Sequence, residues 1–422
     1  MSISSAAPSG GRASVPLTER RYIWPLVLVT TLFLLWAVGV NLNDILIPHL
    51  KRAFNLTDTQ SSYIQVAFFG GYFLAAWPAG RLMERIGYQR GIVLGLLICA
   101  AGAFLFIPAA SIHIYAVFLT GLFIMACGQS FLEVSANPYV TFLGPPESSE
   151  QRLNLAQSFN AVGAVITPLV GSAFILSHSS AAATHPLAAA TETDAVRGPY
   201  IVIVAIFVVM AVLFCIAHLP KIAEERPEDG STEPSVLHFP HLWKGVVAQF
   251  CYVGAQECVL SFIIRFVQYT HPGTSDASAS HYLTLHLVGF MIGRFSGAGL
   301  MKRLRPASML AAYAVGSIAM VSLVLFLHGP LALAGIVLLG FFHSIMYPTI
   351  FALSIRHLGA ATKRGSSMLV MSILGGAICP FLMGRISDVT NIRVAFFVPL
   401  ACYFFVLYFA VRGYHPRKTL AA

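Results

Sequence analysis

Apolar runs of roughly 20 residues recur along this chain from residue 23 to residue 411. That is the length a helix needs to cross about 30 Å of hydrocarbon at 1.5 Å per residue. Polar and apolar positions do not alternate as they would in strands, so the pattern predicts helices and not a barrel. Twelve spans follow, at about 23–49, 60–83, 91–110, 113–143, 153–178, 198–219, 243–269, 277–301, 308–327, 330–355, 366–387 and 391–411. Several exceed the minimum length, which predicts tilt or protrusion beyond the bilayer. The expected class is an all-α membrane protein.

An internal repeat organises these spans. Segment 82-LMERIG-87 returns as 300-LMKRLR-305, and 163-GAVITP-168 returns as 375-GGAICP-380. The chain therefore reads as a tail over 1–22, a six-helix half over 23–219, a linker over 220–242, a second six-helix half over 243–411 and a tail over 412–422. The linker stretch 220-PKIAEERPEDGSTEPSVLHFP-240 is too polar and Pro-rich to bury a core. Two similar halves of six helices suggest a transporter whose substrate sits between them near mid-membrane while they rock around it.

Composition and charge add an orientation. Hydrophobic residues make up 57% of the chain and charged residues only 10%, against about a quarter charged in soluble domains. With an even number of spans both termini share a side. Nineteen Lys and Arg fall on that side and six on the other, which predicts that both termini are cytoplasmic. The formal charge of +9 follows from this bias and calls for no nucleic acid. Residues 1–19 are polar and the first apolar run continues as a full span, so no cleavable signal peptide is expected. The seven cysteines lie inside predicted spans without disulfide or metal spacing and read as small core residues. No metal and no cofactor are expected, and the chain is expected to work as a monomer in the lipid bilayer.

Of seventeen acidic residues, only Asp44, Glu133 and Glu257 are embedded in spans. A charge at the bilayer centre costs about 2.5 kcal/mol or more, so such residues face a cavity or a partner. Burial also disfavours the ionised form of a carboxyl group, and a buried acid can thereby carry a proton. Asn137 lies one turn after Glu133 on the same face, and Pro138 is expected to interrupt that helix and free backbone carbonyls. The alternative for Glu133 is a structural acid paired to a base or to backbone. Asp44 lies about five residues from the outer end of its span, where water, Lys51 and Arg52 are near. Arg294, in the eighth span, needs a carboxylate, carbonyls or water and has a conformational or binding role as its expectation, against simple snorkelling or helix tying.

A polar solute bound inside a membrane needs many hydrogen-bonding partners, which amides supply as both donors and acceptors, and aromatic rings can cover an apolar face of it. Asn154, Gln157 and Asn160 recur at three-residue spacing in the fifth span, and Gln249, Tyr252 and Gln256 stripe the seventh. Trp36, Asn41 and Asn43 approach Asp44 in the first span, and Tyr347-Pro348 breaks the tenth. Each amide taken singly reads equally as interhelical glue, and Trp36 as packing or as a stacking surface.

The stretches 35-LWAVGVNLNDILIP-48, 130-SFLEVSANPYVTFLGP-145, 152-RLNLAQSFNAVGA-164, 249-QFCYVGAQE-257, 293-GRFSG-297 and 347-YPTIFALSIRHLG-359 resemble the L-fucose:proton symporter family of the major facilitator superfamily. The resemblance runs in order over nearly the whole chain. It implies a sugar–proton symporter of a bacterial inner membrane, with the proton as the only co-transported species. It implies proton coupling at Asp44 and Glu133. It implies sugar contacts at Asn41, Gln157, Asn160, Gln256 and Tyr347; Trp36, Asn137, Tyr252 and Glu257 are further candidates from their own positions in the spans and not from the resemblance. The loop 80-GRLMERIG-87 is similar to the superfamily's gating loop with Glu84 in place of Asp, which implies that Glu84 and Arg85 lock the inner side; a solvated charged turn is the alternative. Val40 stands where the fucose symporters carry an additional Asn, and Glu257 adds an acid beside Gln256. L-Fucose is thus less specified than a monosaccharide such as fucose, galactose or glucose. A sodium-coupled or uncoupled sugar carrier and a drug/proton antiporter share the fold. An enzyme is the least expected, since no HExxH motif or phosphate-binding loop is present.

Overall fold

The computed structural model describes residues 15–53, 58–112, 114–182, 188–220 and 236–416, with side chains left undescribed over parts of the helices, chiefly 42–53, 58–62 and 168–197. These residues form a bundle of helices: α1 (Ile23–Ala53), α2 (Asp58–Ile112), α3 (Tyr115–Phe142), α4 (Ser149–Ala182) and α5 (Ala188–Ile216) come first. Then follow α6 (Pro240–Thr270), α7 (Asp276–Leu300), α8 (Pro306–Phe326), α9 (Pro330–His343), α10 (Met346–Ile355), α11 (Thr362–Met371), α12 (Gly375–Val389), α13 (Ile392–Ala395) and α14 (Phe397–Tyr408). Among them ten stretches are long and apolar enough to cross a membrane. One of these, Tyr63–Ala109, has 47 residues and turns back at Gly87, where φ is 79°, a conformation that glycine adopts without a Cβ clash. It is two passes, the second and third of the sequence pattern. With α4 the passes number twelve among the described residues, in two halves either side of the stretch 221–235, which lies outside them. α6 starts at Pro240, three residues before the pattern placed it, because proline is accommodated at a helix N-terminus.

Two of the later passes are broken. Pro348 has no N–H to give to the carbonyl four residues back, Ser344, and the tenth pass divides there into α9 and α10. The eleventh divides at a 3-10 turn over Ser372–Leu374. Pro138 acts otherwise: α3 continues through it to Phe142, so the expected interruption is confined to a lost backbone bond. In the first half, small residues bring two passes together. A Cβ on Gly102 would lie 2.7 Å from the carbonyl of Gly121, and one on Gly128 2.7 Å from that of Gly95. Glycine pairs of this kind let helix backbones approach where lipid offers no hydrophobic drive.

One buried apolar cluster fills the first half and crosses the seam into α10 and α11, through Ile350, Phe351, Met368 and Leu369. A second stays within the other half, around Phe262, Ile336, Phe396 and Tyr403. Hereafter the end of the bundle at which the described chain enters and leaves is called the terminal face.

Candidate functional site

Glu133 sits on α3, 9% exposed, and every residue from Gly128 to Val140 of that helix is buried with it. One of its oxygens, Oε2, accepts from Asn137 Nδ2 one turn below and from the Tyr347 hydroxyl of α10 at 2.8 Å. The second bond joins the two halves. Asn137 in turn accepts from Gln157 Nε2 of α4 at 3.0 Å, so the acid, its amide neighbour and the fifth-pass stripe form one network.

Arg294 of α7, 5% exposed, closes that network from the other half. Its Nη1 donates to Gln157 twice, to the backbone oxygen at 2.6 Å and to Oε1 at 3.1 Å. Its Nε donates to Ser344 O at 2.8 Å, the carbonyl that Pro348 leaves without an intrahelical partner. The guanidinium also lies 4.6 Å from the centre of the Phe290 ring, which suits a weakly hydrated planar cation. Of the partners anticipated for Arg294, carbonyls supply the direct bonds. The break also holds Tyr252 of α6, whose hydroxyl donates to His343 O at 2.9 Å. Tyr252 and Tyr347 face each other with ring centres 6.4 Å apart.

The stripe on α4 thus divides. Gln157 reaches Arg294, and Asn154 donates to Thr349 Oγ1 of α10 at 3.0 Å, so both tie the halves. Asn160, half-buried, donates to Phe33 O of α1 at 3.3 Å. Asn41 is half-buried and donates to Ala37 O at 2.7 Å, within its own helix. Trp36 is 4% exposed, beside Phe33 at 5.8 Å between ring centres, and its indole N–H has no partner among the described residues. Gln256 and Glu257 are half-buried on α6. Gly376 leaves room for Glu257, since a Cβ there would meet its Cγ at 3.0 Å and the Phe69 ring at 2.7 Å. The backbone of Asp44 lies in α1, and its side chain lies outside the described residues, as do those of Asn43, Lys51 and Arg52.

Toward the terminal face, two ion pairs continue the seam. Glu84 takes Arg364 of α11 through Nε at 2.5 Å and Nη2 at 3.1 Å. Glu150 of α4, fully buried, takes Arg356 through Nε at 2.5 Å and Nη2 at 2.7 Å. Both pairs are two-pronged and both cross between halves. Arg85, expected to share the lock with Glu84, is exposed. A cavity of about 570 Å³ opens at the same end between the start of α1 and the end of α5, lined by Arg21, Trp24, Gln89 and His218; it contains none of the amide stripes.

Two features escaped the sequence pattern. Glu150 and Arg356 looked like loop charges, since nothing local marks them as partners 206 residues apart. His286 and His343 are buried with ring centres 5.5 Å apart, and the His343 ring is bonded to Tyr403. The criterion applied to the acids, a polar residue inside an apolar run, would have found both histidines.

A comparison of the whole chain places this geometry. The Major Facilitator Superfamily profile matches residues 27–374. The chain is 43% identical to the L-fucose-proton symporter of Escherichia coli (strain K12) over 414 residues, covering 93% of each. It is 40% identical to the glucose/galactose transporter of Brucella abortus biovar 1 (strain 9-941) over 398 residues, covering 94% of this chain and 95% of that one. Its fold superposes on the crystal structure of the transporter FucP in the outward conformation with a TM-score of 0.86 at 41% identity, over 93% of this chain and 99% of that one. With two six-pass halves, a polar network at their seam and likeness along nearly its whole length, the chain belongs to the Major Facilitator Superfamily and, within it, to the L-fucose:proton symporter family.

Proposed function

We propose that the protein is a proton-coupled sugar symporter that imports a monosaccharide, L-fucose or a related hexose such as galactose or glucose, by alternating access. The observation that carries this reading is the buried carboxylate of Glu133, bonded across the seam to Tyr347. An acid so placed changes the attraction between the halves when it gains or loses a proton, and a group that binds one state better shifts the equilibrium toward it. The contacts from Glu133 down to Glu84 tie the halves at the terminal face, the arrangement expected of a state that opens to the opposite side. That side is the outer one if the basic residues keep both termini in the cytoplasm.

Asn41, Asn160, Gln256 and Tyr347 supply hydroxyl partners for the sugar, and Gln157, Asn137, Tyr252 and Glu257 lie within the same region of α3, α4 and α6. Trp36 offers its indole N–H, which has no partner among the described residues. Asp44 is the second proton station, nearer the outer end of α1. The protein works as a monomer in the bacterial inner membrane, with both termini cytoplasmic and no nucleic-acid partner. The test is uptake of labelled L-fucose, galactose, glucose and N-acetylglucosamine into proteoliposomes, with and without an inward proton gradient. Accumulation of one of the hexoses above its outside concentration, driven by the proton gradient alone, is expected. Accumulation that follows sodium instead, or never exceeds equilibration, rejects proton symport.

A further inference from the structure

The cavity of about 570 Å³ between the start of α1 and the end of α5 takes no part in the seam, and its walls are of three kinds. Arg21 and His218 supply N–H donors, Tyr22 and Trp24 are aromatic, and Ile216 and Leu219 are apolar; no acidic side chain lines it. Its floor is fixed by hydrogen bonds. Gln89 Nε2 donates to Phe214 O and Ala217 O at 2.8 Å each, the Leu219 N–H donates to Ala217 O at 3.1 Å, and the Tyr139 hydroxyl donates to Pro220 O at 3.3 Å. The carbonyls at the end of α5, which would repel an anion, are thereby engaged.

The cavity also lies where hydrocarbon gives way to water. The membrane-spanning stretch of α1 begins at Arg20 and that of α5 ends at Ile216. Exposed apolar side chains run up to the cavity on both helices, Ile23, Trp24 and Val27 on α1 and Val209, Val212 and Ile216 on α5. The α5 residues recur at the spacing of one helix face. Trp24, 65% exposed, and Ile216, 67% exposed, belong both to these stripes and to the cavity wall. Tryptophan is enriched at this depth because its ring is apolar and its N–H polar.

We propose that this cavity binds an anionic phospholipid, with the phosphodiester taken by Arg21 and His218 and the acyl chains lying along the exposed faces of α1 and α5. A guanidinium matches phosphate oxygens with paired N–H donors. Glu19 holds Arg21 through Nε at 2.8 Å, but both side chains are exposed, and such a pair is weak, so a phosphate competes for the guanidinium. Arg20 and Arg90, exposed and each next in sequence to a lining residue, add to the positive field that attracts an anionic headgroup. A soluble phosphate would meet the same donors and gain nothing from Trp24 and Ile216. The site belongs wholly to the first half, away from Glu133 and the amide stripes, so it does not rest on the symport reading.

The test is a lipid titration of the detergent-purified full-length protein, read by native mass spectrometry. The probes are phosphatidylglycerol, phosphatidylcholine with the same acyl chains, and glycerol 3-phosphate. One phosphatidylglycerol is expected to be retained per protein at concentrations at which phosphatidylcholine is lost. Arg21→Gln is expected to weaken that retention about tenfold, as for the loss of a charge-assisted hydrogen bond, and His218→Gln to weaken it by less. Glu19→Gln, which frees the guanidinium, is expected to tighten it. Arg303→Gln, which removes an exposed cation after α7 at the same end of the bundle, is expected to change nothing. The unfolding temperature of each variant without lipid checks its folding. Equal retention of the two lipids, wild-type retention by both Arg21→Gln and His218→Gln, or an equal loss in Arg303→Gln overturns the proposal. Displacement of the lipid by glycerol 3-phosphate at matched concentration shows a site for soluble phosphate and overturns it as well.

Discussion

At the scale of single residues, the geometry around Glu133 and Arg294 separates two kinds of buried charge. Arg294 spends its donors on fixed carbonyls and one amide, an arrangement that is independent of proton supply. Glu133 accepts from an amide and a phenol, neither of which neutralises it. Substitution of Glu133 by Gln keeps the size and an acceptor but removes the titration. Uptake against a concentration gradient is expected to disappear while sugar exchange persists, as measured in proteoliposomes with and without a proton gradient. Arg294→Lys keeps the charge and loses the planar fork. Bonds to charged groups are worth about 1.5–3 kcal/mol each, so the variant is expected to unfold in detergent at a clearly lower temperature and to transport at least tenfold more slowly. An unfolding midpoint equal to wild type would contradict the role given to its three bonds. That these residues are costly inside a membrane was legible from position alone. Their partners were not, because each partner is brought in by a different helix.

At the scale of elements, the prolines and glycines explain why the site has the shape it does. The sequence marks Tyr347-Pro348 as a break, and α9 and α10 part just before it, at Ser344–Ile345. What the linear pattern lacks is the use of the break: Ser344 O goes to Arg294 and His343 O to Tyr252. Gly95, Gly102, Gly121 and Gly128 carry matching seven-residue spacings in two successive passes, a signal present in the sequence and recognisable only once the two passes are known to touch. Gly128→Leu would drive a side chain into the backbone of Cys99 and Gly95, where a Cβ already meets atoms at 2.6 and 2.7 Å. Overpacking of that kind costs about 1–3 kcal/mol or more. The variant is expected to give less folded protein and a lower unfolding temperature, whereas Gly70→Ala, where a Cβ meets nothing within 4 Å, is expected to behave as wild type in the same measurement.

At the scale of the whole molecule, the halves are zipped from mid-membrane to the terminal face through Glu133–Tyr347, Gln157–Arg294, Asn154–Thr349, Glu150–Arg356 and Glu84–Arg364. The zip is asymmetric despite the internal repeat. By the repeat offset of the 163 and 375 segments, Arg152 corresponds to Arg364, and by that of the 82 and 300 segments, Lys302 corresponds to Glu84. Like charges at the second pair of positions exclude a matching ion pair. Arg152 instead turns inward, donating to Leu17 O and Pro145 O at 2.9 Å each and to Ser148 Oγ at 2.6 Å. The two cross-seam ion pairs are also unequal. Removing one partner of a buried pair costs about 3–5 kcal/mol, whereas partly exposed pairs contribute about 1 kcal/mol or less. Arg356→Met, which strands the buried Glu150, is expected to open the terminal face far more than Arg364→Met, read as widened distances between spin labels on the two halves. Equal opening by both would show that burial of Glu150 does not matter to the gate.

Hydropathy, charge bias and the repeated segments determined the membrane class, the twelve passes and the division into halves, because each of these depends on the solvent a residue meets and on its near neighbours along the chain. Position alone also singled out Glu133 and Arg294, since hydrocarbon penalises a charge wherever it lies in a span. Only the tertiary structure decided that Asn154 and Gln157 clasp the opposite half while Asn160 turns to α1, and that Glu150 pairs with Arg356 across the seam. Those outcomes depend on contacts between helices far apart in sequence, and a hydrogen-bonding side chain does not announce which of its spatial neighbours will meet it.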